Sequence, residues 1–141
     1  MPKRVVITGM GAITPLGNNV DTFWNALKQG KNGIEKIDRF DVEDFSTQMA
    51  ALVKNFDPQD FIDRKEARRM DRFTQFSMAA TYAAMENADL DVGKIDQDRF
   101  GVVLGTGIGG LETLDSQAKI LLTKGPNRVS PFFIPMMIGN M

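Results

Sequence analysis

The chain is predicted to be α/β, with strands and helices alternating along the sequence. Three observations carry this. Residues 4–7, where Arg4 leads into Val5, Val6 and Ile7, and residues 100–104 read as short strands whose continuous apolar stretches suit cover on both faces. Each run empties into glycines, namely Gly9 and Gly11 after the first and Gly105, Gly107, Gly109 and Gly110 after the second. Between and beyond them lie segments of helical period.

The elements follow in order. After the first strand comes a long turn through Pro15 and Gly17. Val20, Phe23, Trp24 and Leu27 then form one apolar stripe, and Gly30 stops that helix. Residues 31–45 are charged without a clear period and read as loop, and residues 49–53 as a short strand. Asp57 and Pro58 start another helix, with Asp57 as cap and Phe56 and Phe61 as a staple. A longer helix spans 73–88, where Ala79, Ala80, Ala83, Ala84 and Ala88 permit close backbone approach to a neighbour. Residues 89–98 are an acidic connector. The helix after Gly110 packs Leu111, Leu114, Ala118 and Leu121 and ends at Gly125 and Pro126. Ser130 and Pro131 announce a last helix that reaches Met141 without a stop signal, which reads as a piece of a longer protein.

Composition excludes several classes. A net charge of −1 over 141 residues is not that of a nucleic-acid binder. No window approaches the roughly 18 apolar residues of a membrane span. The amino-terminal run faintly resembles a signal peptide, but its β-branched residues and early glycines favour a strand, so a cytoplasmic location is expected. With no cysteine and no histidine, this segment has no thiolate, no imidazole acid–base group and no cysteine- or histidine-based metal site.

Gly105, Gly107 and Gly110 spell G-x-G-x-x-G between a strand and a helix, the pattern that brings backbone close to a pyrophosphate. The same pattern calls for an acid about 20 residues on to hold a ribose. No Asp or Glu follows Asp115, and Glu112 and Asp115 sit where they repel phosphate. No Walker-type lysine follows Gly110. On the residues alone, a dinucleotide site and a structural tight turn both remain open. Arg64, Lys65, Arg68, Arg69 and Arg72 form a cationic cluster. On a continuous helix, Lys65, Arg68, Arg69 and Arg72 share one face, either as a solvated surface or as a landing strip for an anionic partner.

Five blocks in register carry a resemblance that covers the whole chain: Val5-Val6-Ile7-Thr8-Gly9-Met10-Gly11 with Pro15-Leu16-Gly17, then Gly30-Lys31-Asn32-Gly33-Ile34, Arg69-Met70-Asp71-Arg72-Phe73, residues 105–110, and Ser130-Pro131-Phe132-Phe133-Ile134-Pro135. Together they resemble the β-ketoacyl-acyl-carrier-protein synthases, with Ile108 pointing to the elongating synthase II branch. The resemblance implies part of the amino-terminal half of a thiolase-like, five-layered αβαβα fold, acting as a homodimer in fatty-acid elongation without a cofactor or metal. Residues 1–141 then form the start of the ketosynthase amino-terminal domain, cut before the catalytic cysteine, so this segment alone is expected to be inactive and to hold no catalytic residue. It further implies an acyl pocket touched by Gly107, Ile108, Gly109, Phe133 and Ile134, with Ile108 as gate and Phe133 and Ile134 at the dimer interface. Lys65, Arg68, Arg69 and Arg128 match a patch that docks the acidic acyl carrier protein, which bears its acyl and malonyl groups on phosphopantetheine. Asn127 departs from relatives that carry another base there. Alternatives of the same fold are a polyketide ketosynthase or a non-catalytic chain-length-factor subunit, and a dinucleotide-binding dehydrogenase is the remote one.

Overall fold

The computed structural model describes residues 3–139. They form helices α1 (Val20–Lys28), α2 (Arg64–Ala67), α3 (Arg72–Asn87), α4 (Leu111–Lys124) and α5 (Phe133–Met137), and strands β1 (Ile34–Lys36) and β2 (Met49–Ala51). The chain divides into two compact units, Met1–Asp57 with Ala80–Leu90, and Pro58–Ala79 with Asp91–Met141.

In the first unit, α1 begins where Asn19 turns from extended backbone and its side chain accepts from Thr22 N at 2.8 Å. It ends at Gly30, whose φ of +64° suits a residue without Cβ. Thr14 and Gly17 exchange backbone hydrogen bonds, and the Thr14 hydroxyl accepts from Gly17 N, so the predicted turn through Pro15 is closed twice over. The alanines of α3 meet the neighbour their size calls for. A Cβ on Gly9 would lie 2.6 Å from Ala88 Cβ, and one on Gly11 would lie 2.8 Å from Ala84 N. Met10 N donates to Asn87 Oδ1 at 3.0 Å across the same contact. Glycine facing alanine is what lets an irregular segment lie directly on a helix backbone.

β1 and β2 pair antiparallel in the register Ile34↔Ala51, Glu35↔Ala50 and Lys36↔Met49. β1 falls inside the segment predicted as loop. All three of its side chains are exposed, so backbone bonds alone hold the pairing and no hydrophobic period marks it in the sequence. Lys54 pairs with Glu35, and this hydrogen bond holds the Lys54 ammonium above its ordinary pKa. Asn18 Nδ2 donates to the carbonyls of Lys54 and Asn55, each at 3.0 Å.

The two runs predicted as buried strands are not strands here. Residues 4–7 and 100–104 have no ladder partner among the described residues. Val5 is 88%, Ile7 83% and Val103 100% exposed. A strand exists only as a member of a sheet, and apolar composition sets what a segment does when covered without supplying the cover.

In the second unit, the predicted helix from Pro58 is a single 3₁₀ turn, Pro58–Asp60, followed by α2. Asp63 Oδ1 caps α2 through Lys65 N at 2.8 Å. α2 stops at Ala67, so Lys65, Arg68, Arg69 and Arg72 do not share a continuous helical face as predicted. Gln75 Nε2 bridges the break, donating to the carbonyls of Ala67 and Met70 at 2.9 and 3.3 Å. The acidic connector folds into two 3₁₀ turns capped by Asp91 and Asp96. Lys94, helped by Gly93 N–H, holds the Asp91 carboxyl below its ordinary pKa. α4 ends at Gly125 with φ +81°. Its leucines at 111, 114 and 121 are exposed, and Thr113 is its buried residue. The last helix is short, and no described helix is long and apolar enough to cross a membrane.

Candidate functional site: the glycine loop and the cationic segment

The loop that feeds α4 is built from glycines with different tasks. Gly109 takes φ +82°, and its N–H donates to the Thr106 hydroxyl at 3.1 Å. Gly110 N donates to Met137 O at 2.7 Å. A Cβ on Gly110 would lie 2.5 Å from Met136 O and 2.9 Å from Asp71 Oδ2, so only glycine admits α5 and the Asp71 carboxylate so close. Gly107 faces open space. Ile108, between them, is 77% exposed.

The first turn of α4 has its own anion. Asp71 is buried (7% exposed), and its Oδ2 accepts from Thr113 N at 2.8 Å. A carboxylate at the positive end of a helix is stabilised by aligned peptide dipoles and by a charge-assisted hydrogen bond. This bears directly on the dinucleotide reading. The amides of Gly109, Gly110 and Thr113, part of any pyrophosphate cradle, already serve the Thr106 hydroxyl, Met137 O and Asp71, and the Asp71 carboxylate lies against the helix end that a phosphate would use.

Beside the loop lies an open depression of about 350 Å³, lined by the side chains of Ile108, Leu111, Leu114, Met137 and Ile138 together with Gly110 and Gly139, so that aliphatic groups and backbone share its surface. The predicted neighbours Phe133 and Ile134 do not line it. They stand one turn earlier, at the start of α5, where Phe132 N and Phe133 N donate to the Ser130 hydroxyl and carbonyl at 3.1 and 3.0 Å. Ser130 N in turn donates to Gln117 Oε1 of α4 at 2.8 Å. Phe133 is half-buried and Ile134 exposed.

The predicted cations are all exposed: Lys65 in α2, Arg68 at its end, Arg69 in the following turn, and Arg128 in the 3₁₀ turn after α4. Arg69 is brought to the aromatic segment, its guanidinium 4.7 Å from the centroid of Phe132. Met137, Ile138, Thr106 and Asp71 were not singled out by sequence reasoning as site residues. Met137 and Ile138 were legible only as helix-end apolar residues. Asp71 had a signal, an acid set among arginines just before a helix, but its burial and its bond to residue 113 are tertiary facts.

A family profile described as beta-ketoacyl synthase, N-terminal domain, matches residues 2–141. The 3-oxoacyl-[acyl-carrier-protein] synthase 2 of Staphylococcus aureus (strain COL) is 54% identical over 99% of this chain and 34% of its own length. Its namesake from Synechocystis sp. (strain ATCC 27184 / PCC 6803 / Kazusa) is 52% identical over 99% of this chain and 33% of its own. A solved type II polyketide ketosynthase in complex with its acyl-carrier protein superposes with a TM-score of 0.79 at 27% identity, covering 97% of this chain and 35% of that one. The chain therefore belongs to the β-ketoacyl synthase family and carries part of the thiolase-like fold. It spans about a third of the length of the curated relatives it matches.

In the complete protein, a double-mutant cycle of Arg69→Ala and Phe132→Ala should return a coupling of about 0.5–1 kcal/mol in urea unfolding, the size of an exposed cation–π contact. Strict additivity would remove this link between the cationic segment and the aromatic one.

Proposed function

We propose that the complete protein is a β-ketoacyl-acyl-carrier-protein synthase II that lengthens fatty acyl chains by decarboxylative Claisen condensation. In that reaction an acyl group passes from its carrier to an enzyme nucleophile. Malonyl-carrier protein then loses carbon dioxide, and the resulting carbanion displaces the nucleophile from the acyl carbonyl. Residues 1–141 supply the start of the ketosynthase domain, with pocket, dimer and docking elements. The nucleophile comes from another part of the complete protein, consistent with a segment that has neither cysteine nor histidine.

The observation that carries the reading is the way the glycine loop spends its polar groups. The amides of Gly109 and Gly110 at the helix end are bonded to the protein's own acceptors, Asp71 holds the first turn of α4, and Ile108 stands exposed beside a depression walled by Leu111, Leu114, Met137 and Ile138. That suits a hydrocarbon tail and opposes a phosphate. Identity of 54% to a synthase 2, against 27% to a polyketide ketosynthase, favours fatty-acid elongation over polyketide assembly.

Ile108 is the gate at the far end of the acyl pocket, with the open space at Gly107 giving it room to swing and Gly109 anchoring its other side. Phe133 and Ile134 face the partner subunit of a homodimer. Lys65, Arg68, Arg69 and Arg128 receive the acidic carrier protein, steering it and setting its register more than adding raw affinity. The exposed runs 4–7 and 100–104 become sheet strands when the rest of the protein covers them. The setting is cytoplasmic, and no cofactor is required.

Ile108→Phe in the complete protein should cut kcat/KM for long acyl chains on the order of ten-fold while sparing short ones, since a single well-placed obstruction costs ~1–3 kcal/mol. A flat response across chain lengths would remove the gate. Lys65→Glu with Arg69→Glu should slow turnover of carrier-bound substrates on the order of ten-fold or more and leave a small soluble thioester almost unaffected. Equal losses with both substrates would point to damaged folding and sink the docking patch.

A further inference from the structure

Asp71 is the only buried carboxylate among the described residues, and it sits within a segment of exposed cations. The geometry points to Asp71 as a positioning residue that clamps the fixed end of the glycine hinge, so that Ile108 moves alone and the pocket wall discriminates by chain length; this rests on the acyl-pocket reading above. The carboxylate is carried rigidly. Thr74 N and Gln75 N both donate to Asp71 O, at 3.0 and 3.1 Å, fixing it to the first turn of α3. From there Oδ2 reaches across to Thr113 N of α4 at 2.8 Å. Gly110 is held on α5 through Met137 O at 2.7 Å, and there is no room for a side chain between Gly110, Met136 O and the carboxylate.

Restraint therefore leaves a gap at residues 107–108, which the bond from Gly109 N to the Thr106 hydroxyl spans. Gly109, Gly110 and Thr113 are bonded, whereas Gly107 has nothing within van der Waals reach of a Cβ and Ile108 is mostly exposed. A hinge works as a gate only when one side is fixed, because otherwise an entering tail displaces the whole wall instead of one side chain. The clamp also lies two residues from Arg69, whose guanidinium rests on Phe132. One short segment thus grips both the start of α4 and the start of α5.

The test uses the complete protein and its Asp71→Ala and Asp71→Asn variants. Two quantities are read: kcat/KM for short and long acyl chains on the carrier protein, and hydrogen exchange of the amides of residues 107–114. Asp71→Ala should narrow the ratio of kcat/KM between the better and the poorer chain length on the order of five-fold, the equivalent of one lost helix cap. Exchange in 107–114 should rise by a similar factor, with residues 34–51 unchanged. Asparagine can still accept from Thr113 N and loses only the charge, so Asp71→Asn should shift both readouts the same way by about two-fold. If the alanine variant does not fold, the asparagine variant carries the test unaided.

An unchanged preference with unchanged exchange overturns the proposal. So does a uniform loss at every chain length with exchange raised throughout, which marks a merely structural residue. Ile108→Phe in parallel separates the two failures. If it alters chain-length preference while the Asp71 variants do not, the clamp falls and the gate stands. If it has no effect, the pocket reading falls, and the exchange data then decide only whether Asp71 holds the loop.

Discussion

A carboxylate held against the amino end of a helix needs a partner that earns its burial, because removing an ionised oxygen from water costs several kcal/mol unless hydrogen bonds replace the lost solvent. Asp71 has one in Thr113 N, in the field of the peptide dipoles of α4. That bond ties the start of α3 to the start of α4. The glycine loop is then pressed between the bond and the carbonyls of Met136 and Met137, which is why Gly110 admits no side chain. This one placement of charge sets the start of α4 against α5 beside Ile108 and disfavours a phosphate at the same helix end.

The same loop shows how one string of letters can serve opposite chemistries. G-x-G-x-x-G after an apolar run describes backbone that must come close to something. In a nucleotide site that something is a phosphate drawn in by unspent amides. Here it is the protein's own backbone, and the amides of Gly110 and Gly109 are already committed to Met137 O and the Thr106 hydroxyl. The discriminating fact is the location of an acid remote in sequence from the glycines. No local pattern contains it.

What could be read from the sequence was whatever local chemistry decides. The α1 stop at Gly30, an alanine face open to close backbone approach, the α4 stop at Gly125 and a turn through Pro15 and Gly17 all follow from residue type and spacing, whereas Gly9 and Gly11 as the neighbour and Thr14 as the closing residue came only with the structure. The strands were misjudged for two different physical reasons. β1 pairs through backbone with exposed side chains, so it leaves no period. Residues 4–7 and 100–104 have the composition of core strands but lack ladder partners among the described residues. The cationic cluster was visible as composition, while its break into α2 and α3, bridged by Gln75 reaching back to two carbonyls, was not. Of the candidate site, the sequence pointed to Ile108 and its flanking glycines as a loop, whereas the placement of Met137, Ile138 and Asp71 beside it required the tertiary fold.

The most direct measurement is a crystal structure of the complete protein trapped with a long saturated acyl group. The account predicts the end of the tail beside Met137 and Ile138, with Ile108 swung away and Thr113 N still bonded to Asp71. A tail lodged elsewhere, with residues 107–110 unmoved, would contradict it.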